Sequence, residues 1–159
     1  SNFVCGIILL LERPIRVGDI VTVSGTTGKV DRINIRATSI INWDNQSMIV
    51  PNRAFITGDL VNWTLKDKVV RVALRVKAAF GTDPDRVSEI LLAIARDDPD
   101  VLANPLPYAF MEELADSGQV FSLGVYVPDP SLTGRVRHRL FREVQRRFGE
   151  AGIAIPLPT

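Results

Sequence analysis

Glu12-Arg13-Pro14-Ile15-Arg16-Val17-Gly18-Asp19 separates two hydrophobic rhythms. Ahead of it runs an apolar stretch, Phe3 to Leu11. Behind it the period is two: Ile20, Thr22 and Ser24 alternate with Val21 and Val23. Pro14 explains the change. It has no N–H, its ring clashes with a preceding helical turn, and it biases Arg13 away from helical angles. A helix that includes residue 1 is therefore expected to stop near Arg13. Gly18-Asp19 then makes a tight turn, because glycine takes backbone angles closed to other residues. Arg13, Pro14, Arg16, Gly18 and Asp19 thus read as the joint between an apolar helix and a β domain.

The totals narrow the function. With 159 residues the chain holds one ordinary domain or two small ones, and 46% apolar with 23% charged residues is globular composition. Nineteen basic against eighteen acidic residues lack the basic excess of a dedicated nucleic-acid binder. One cysteine excludes a disulfide framework and one histidine excludes a multi-histidine zinc site. Phe3–Leu11 is shorter than the roughly 20 apolar residues a bilayer needs. It is read as the latter half of a spanning helix, with Arg13 and Arg16 just past its end as on the cytoplasmic side of a span. On that helix Ser1/Cys5 and Asn2/Gly6 are each four apart and form a stripe of small or polar residues. Phe3, Ile7, Leu10 and Leu11 form the bulky face. Small residues let spanning helices approach closely, so the stripe is expected to pack on neighbouring helices. The competing reading packs it on the chain's own β domain.

From Ile20 to Thr64 the pattern is all-β. Strands are expected at Ile20–Ser24, Lys29–Ile35, Thr38–Asn42, Ser47–Val50 and Leu60–Leu65. The turns fall at Gly25-Thr26-Thr27-Gly28, at Trp43–Gln46 and at Pro51-Asn52. Five short strands suggest a small, bent, barrel-like sheet. Beyond Lys66-Asp67-Lys68 the plan changes. Val69–Val76 alternates as a half-buried strand. Thr82 or Asp83 caps a helix running to about Arg96. Tyr108–Leu114 and Val120–Val127 pair across Asp116-Ser117-Gly118. Val136, Leu140, Val144 and Phe148 lie four apart on a second helix, Thr133–Glu150, and Ile153–Ile155 adds a last strand. The order β-α-β-β-α-β is the ferredoxin-like plan. The fold class is therefore α+β. The boundaries are 1–13 for the helix, 14–66 for the β domain and 67–159 for the α/β domain.

The candidate chemistry is sparse. Arg135, Arg137, Arg139, Arg142, Arg146, Arg147 and His138 on the second helix suit an anion, or simply a solvated helix face. Asp97-Asp98-Asp100 has no defined calcium-loop spacing. Glu112-Glu113 is expected to point to opposite faces of its strand, a poor chelate. Cys5 sits inside an apolar helix, where a thiol is inert. No catalytic residue, cofactor or metal ligand is assigned, and enzymatic activity is not expected.

Taken together, several stretches resemble the small-conductance mechanosensitive channel family. These are Ser1-Asn2 with Gly6, Arg13-Pro14-x-Arg16-x-Gly18-Asp19, Gly25-x-x-Gly28-x-Val30, Thr38, Val50-Pro51-Asn52 and Gly152-Ile153-x-Ile155-Pro156-x-Pro158. The match keeps order and spacing from the first residue to the end. Glu12 and Asn34-Ile35-Arg36-Ala37-Thr38 look more like the larger, potassium-regulated branch.

The resemblance implies a homoheptameric inner-membrane channel, opened by membrane tension, that releases ions and small solutes on osmotic downshock. Residues 1–11 would be the cytoplasmic half of its pore-lining helix. An Sm-like β domain and an α/β domain would form a cytoplasmic vestibule. Its partners would be other copies of itself, the bilayer through upstream helices, and permeating ions, with no nucleic acid. Gly6 would serve as a hinge. Asn2 would approach the turn after Pro51-Asn52 in a non-conducting state; many relatives carry glycine where this chain has Arg53. The alternative is a soluble Sm-like/ferredoxin-like RNA-binding or assembly module. That reading requires stacking aromatics on an exposed sheet face, whereas Tyr108, Phe110, Phe121 and Tyr126 are placed mostly in the core.

Overall fold

The structure, a computed structural model, describes residues 1–156; Pro158 of the C-terminal pattern lies outside them. It divides into two units, Ser1–Lys68 and Val69–Thr159.

The first unit starts with helix α1, Asn2–Glu12, capped by the Ser1 hydroxyl, which accepts from the Val4 amide at 3.3 Å. The helix ends at Arg13, which turns left-handed (φ 53, ψ 50) ahead of Pro14. Five strands follow: β1 Ile20–Val23, β2 Thr26–Ile33, β3 Ala37–Ile41, β4 Ser47–Pro51 and β5 Leu60–Asn62. They form one antiparallel sheet in the order β4-β3-β2-β1-β5. A five-residue helix, α2 (Arg53–Thr57), bridges β4 and β5. Leu9, Ile15, Val21, Val23, Val30, Ile40, Val50 and Phe55 make the core. Burying a side chain such as Leu9 contributes about 2 kcal/mol.

Three expectations are corrected here. The sheet is open: β4 and β5 are its two edges, and no pairing closes a barrel among the described residues. The β1–β2 hairpin turns one step early, on Ser24 and Gly25 with φ of 51 and 76, the positive pair that a two-residue hairpin loop requires. Gly28, expected in that turn, lies inside β2 for another reason. A Cβ there would meet the Ile41 carbonyl oxygen at 2.6 Å and collide with Ile40, so only glycine lets β3 cross so closely. Finally, α2 follows directly after Pro51-Asn52, where only a turn was expected.

In the second unit β6 (Val70–Ala78), β7 (Tyr108–Leu114) and β8 (Gln119–Val127) form an antiparallel sheet, order β6-β8-β7. Helices α3 (Pro84–Asp97) and α4 (Thr133–Glu150) supply the apolar positions of the same core. Val87, Leu91 and Ile94 come from α3, and Val136, Leu140, Val144 and Phe148 from α4. Asp83 is the cap of α3, its carboxylate accepting from the Asp85 amide at 3.0 Å. The expected strand Ile153–Ile155 is not formed. One backbone hydrogen bond, from the Ala79 amide to the Ala154 carbonyl (2.9 Å), ties that segment beside β6.

Two side-chain placements also differ. A bulge between Met111 and Glu113 breaks the alternation of β7. Glu112 and Glu113 therefore both reach Arg75, at 3.8 and 3.5 Å, instead of pointing apart. Phe121 is core, but its neighbours along the strand, Val120 and Ser122, belong to the opposite face, where Tyr108, Phe110 and Tyr126 also lie.

Candidate functional site: the joint of the first helix and its sheet

The small face of α1 is occupied within its own unit. Cys5, Gly6 and Leu9 are buried, while Phe3, Val4, Ile7, Leu10 and Leu11 are exposed. Of the stripe Ser1-Asn2-Cys5-Gly6, Cys5 and Gly6 are buried within the unit, Asn2 is half-buried and Ser1 is exposed. Gly6 sits on the loop between β2 and β3. A Cβ on it would overlap the Ile35 carbonyl oxygen and lie 2.8 Å from the Asn52 side-chain nitrogen. The helix remains continuous through Gly6.

Asn52 holds that seat in place. It is fully buried. Its side-chain nitrogen donates to the carbonyls of Asn34 (2.8 Å) and Ile35 (3.0 Å), and its side-chain oxygen accepts from the Thr38 hydroxyl at 2.8 Å. Its amide donates to the Arg36 carbonyl at 2.9 Å. One side chain thus satisfies the polar groups of a loop that could not otherwise be buried. One residue on, the Arg53 amide donates to the side-chain oxygen of Asn2 at 3.0 Å. The contact between Asn2 and the turn after Pro51-Asn52 is therefore made, and by main chain, so the arginine side chain does not obstruct it.

Asp19 organises the other end of the joint. Its carboxylate accepts from the Arg16 amide (3.0 Å), the Asn62 side chain (3.0 Å) and the Thr64 hydroxyl (2.8 Å). Asn62 also donates to the Pro14 carbonyl at 2.9 Å, and the Arg16 guanidinium donates to the Leu65 carbonyl at 3.0 Å. Gly18, at φ 97, completes the turn, with the Asp19 amide donating to the Arg16 carbonyl. Helix end, turn and strand β5 are therefore fastened through one carboxylate.

That carboxylate gives a pH prediction. Burial by itself raises its pKa. The hydrogen bonds from Asn62, Thr64 and the Arg16 amide, with the Arg16 charge, outweigh burial and hold it below the usual carboxylate value. A group whose native pKa is depressed binds protons more readily when unfolded. Its stabilisation is present above the unfolded value of about 3.9 and is lost as pH falls through the native value. Unfolding free energy measured against pH should therefore decline in acid, and Asp19→Asn should flatten that decline. An identical slope in the variant would remove Asp19 from the acid response.

The arginine-rich helix α4 is largely paired. Arg139 grips Asp98 with two hydrogen bonds (2.8 and 2.9 Å) and Asp100 with one (2.6 Å). Burial raises the Asp98 pKa, but Arg139 and the neighbouring amides bring it below the ordinary value. Arg147 meets Asp97 at 2.9 Å, Arg146 meets Glu143 and Glu150, and Arg137 donates to the Ala73 carbonyl at 2.9 Å. The acidic cluster is thus the counter-charge of the basic helix. No group of three metal-binding side chains occurs among the described residues. No helix among them is long and apolar enough to cross a membrane.

Sequence families match both units: "Mechanosensitive ion channel, beta-domain" over residues 1–65 and "Mechanosensitive ion channel MscS, C-terminal" over residues 72–155. The chain belongs to the MscS-type mechanosensitive ion channel family, as its C-terminal region. It is 41% identical to the miniconductance mechanosensitive channel MscM of Escherichia coli over 99% of this chain and 14% of the relative. It is also 41% identical to the mechanosensitive channel MscK of the same organism, over 80% of this chain and 11% of the relative. The chain thus spans about one seventh or less of these relatives. Closed-state MscS of Helicobacter pylori superimposes with a TM-score of 0.91 at 22% identity, covering 99% of this chain and 62% of that one, which establishes the shared fold. The relatives are ion channels, not enzymes, and the soluble RNA-binding or assembly alternative is not favoured.

Proposed function

We propose that this chain is the cytoplasmic vestibule portion of an inner-membrane channel that opens under tension and releases ions and small solutes on osmotic downshock. In this reading α1 is the cytoplasmic half of the pore-lining helix, and the assembly is a homoheptamer anchored in the bilayer by segments outside this sequence. The exposed Phe3, Ile7, Leu10 and Leu11 then meet neighbouring pore helices or lipid. Glu12, the 34–38 stretch and the 41% identity to MscK support the larger branch. The Sm-like and ferredoxin-like descriptions of the two units also belong to this reading. Their support is the strand order and the β-α-β-β-α succession.

The observation that carries the proposal is the joint. Membrane tension does work through in-plane expansion, so helix tilt must reach the vestibule through a stiff connection. Arg13, Pro14, Arg16, Gly18 and Asp19 supply one end of it, and Asn2, Gly6, Asn52 and Arg53 the other. Patch-clamp recording of the full-length protein under stepped suction, with its mass measured in detergent, tests the reading. Stretch-activated currents and a seven-copy mass are expected; a tension-insensitive, monomeric protein would sink it.

Asn2→Ala probes the state dependence. Losing one exposed hydrogen bond costs about 0.5–1.5 kcal/mol. If the contact holds a non-conducting state, the variant should leave that state several-fold faster after a sustained pressure step. An unchanged recovery time would separate Asn2 from gating.

A further inference from the structure

The face of the second sheet opposite α3 and α4 is built in rows. Arg75, Ser122 and Phe110 are register partners across β6, β8 and β7, and so are Ala73, Gly124 and Tyr108. Ser122 and Gly124, the small residues on the middle strand β8, leave the rings of β7 room to lie flat. The Tyr108 ring covers Gly124 so closely that a Cβ there would overlap it. Arg71 donates to the Tyr108 hydroxyl at 2.6 Å, which fixes that ring from its far end. Phe110 stacks on Tyr108, with centroids 5.5 Å apart and planes 22° apart, and is still 51% exposed. Outward positions of β6 add Arg75, in the row of Phe110, and Lys77, one row farther from Tyr108. Arg75 is shared with Glu112 and Glu113, and Lys77 donates to the Ser117 hydroxyl at 3.1 Å, whereas Arg71 meets no carboxylate among the described residues.

We propose that this face binds a nucleoside polyphosphate. The base stacks on the open side of Phe110, and Arg71 takes the phosphates. An exposed aromatic ring held rigid by a second ring offers a purine a flat partner at little conformational cost. A guanidinium with most of its five donors unused is the group that matches phosphate oxygens, two at a time. One open ring accommodates one base. A single strand of nucleic acid draws on successive aromatics, and Tyr108 is already covered by Phe110, so the chemistry favours a mononucleotide over a strand.

Calorimetric titration of the full-length channel in detergent, without magnesium, compares ATP, tripolyphosphate, adenosine and a single-stranded oligoribonucleotide. Saturable ATP binding is expected, with tripolyphosphate and adenosine each about tenfold weaker or worse. Phe110→Ala should raise the ATP Kd by about tenfold, and Phe110→Trp should restore it. Arg71→Ala should weaken ATP by about tenfold while leaving the weak adenosine signal unchanged. Thermal melting of each variant certifies that the exposed changes left the fold intact. The proposal is overturned by absence of saturable ATP binding at millimolar concentration, by tripolyphosphate binding as tightly as ATP, by Phe110→Ala binding like the parent, or by the oligoribonucleotide binding where ATP does not.

Discussion

Asn52→Leu is expected to lower the stability of the first unit by about 3–5 kcal/mol, the largest loss for any single change considered. The side chain is fully buried and nearly isosteric with leucine, so volume is not the issue. What vanishes is the partner of two backbone carbonyls, Asn34 and Ile35, and of the Thr38 hydroxyl. Each buried polar group left unpaired costs about 1–3 kcal/mol, and the loop cannot expose all three to water without moving off the sheet. Thr38→Val removes one bond only and is expected to cost about 1 kcal/mol. Urea unfolding of the full-length protein gives both numbers, and hydrogen exchange at residues 34–38 localises them. If Asn52→Leu costs no more than Thr38→Val, the loop finds other partners and Asn52 is not its anchor.

Gly6→Ala should do less to stability and more to gating. Alanine is the better helix former by roughly 0.5–1 kcal/mol, which favours the variant. Against it stands a methyl group driven into the Ile35 carbonyl and the Asn52 amide, neither of which is the loose end of a flexible chain. Overpacking of this kind costs about 1–3 kcal/mol, so the balance falls on the destabilising side. The helix can relieve the clash by lifting from the 34–37 loop, which disturbs the connection between α1 and its sheet. In patch-clamp recordings the pressure threshold or the rate of inactivation should therefore shift, with Cys5→Ala as the neighbouring control. A destabilised variant with unchanged threshold and inactivation would confine Gly6 to packing.

The parts readable from sequence were those decided within a few residues. Pro14 ends α1 through its own ring, and the four-residue spacing of Val136, Leu140, Val144 and Phe148 puts one face of α4 in the core. The hairpin was misplaced by one step because two glycines, Gly25 and Gly28, look alike in sequence. One serves a turn and the other a strand crossing set by Ile40 and Ile41, more than ten residues away. Helix α2 is five residues long, too short to display a period. Whether β4 and β5 close a barrel depends on twist accumulated across the whole sheet, which no local pattern carries. The joint was legible as a set of residues. Its wiring was not, because Asp19 finds Asn62 and Thr64, and Asn52 finds Asn34 and Ile35, across several intervening strands. The arginines of α4 and the acidic run 97–100 lie about 40 residues apart, so their mutual neutralisation shows only when the chain is folded.

The bond from the Arg53 amide to Asn2 has a corollary for how this region can diverge. A donor supplied by the peptide itself is indifferent to the letter at position 53. Nineteen of the twenty amino acids can stand there with the clasp intact, and proline alone abolishes it. Substitution patterns at this position will therefore be silent about the clasp, and its history must be traced through the residue that occupies position 2.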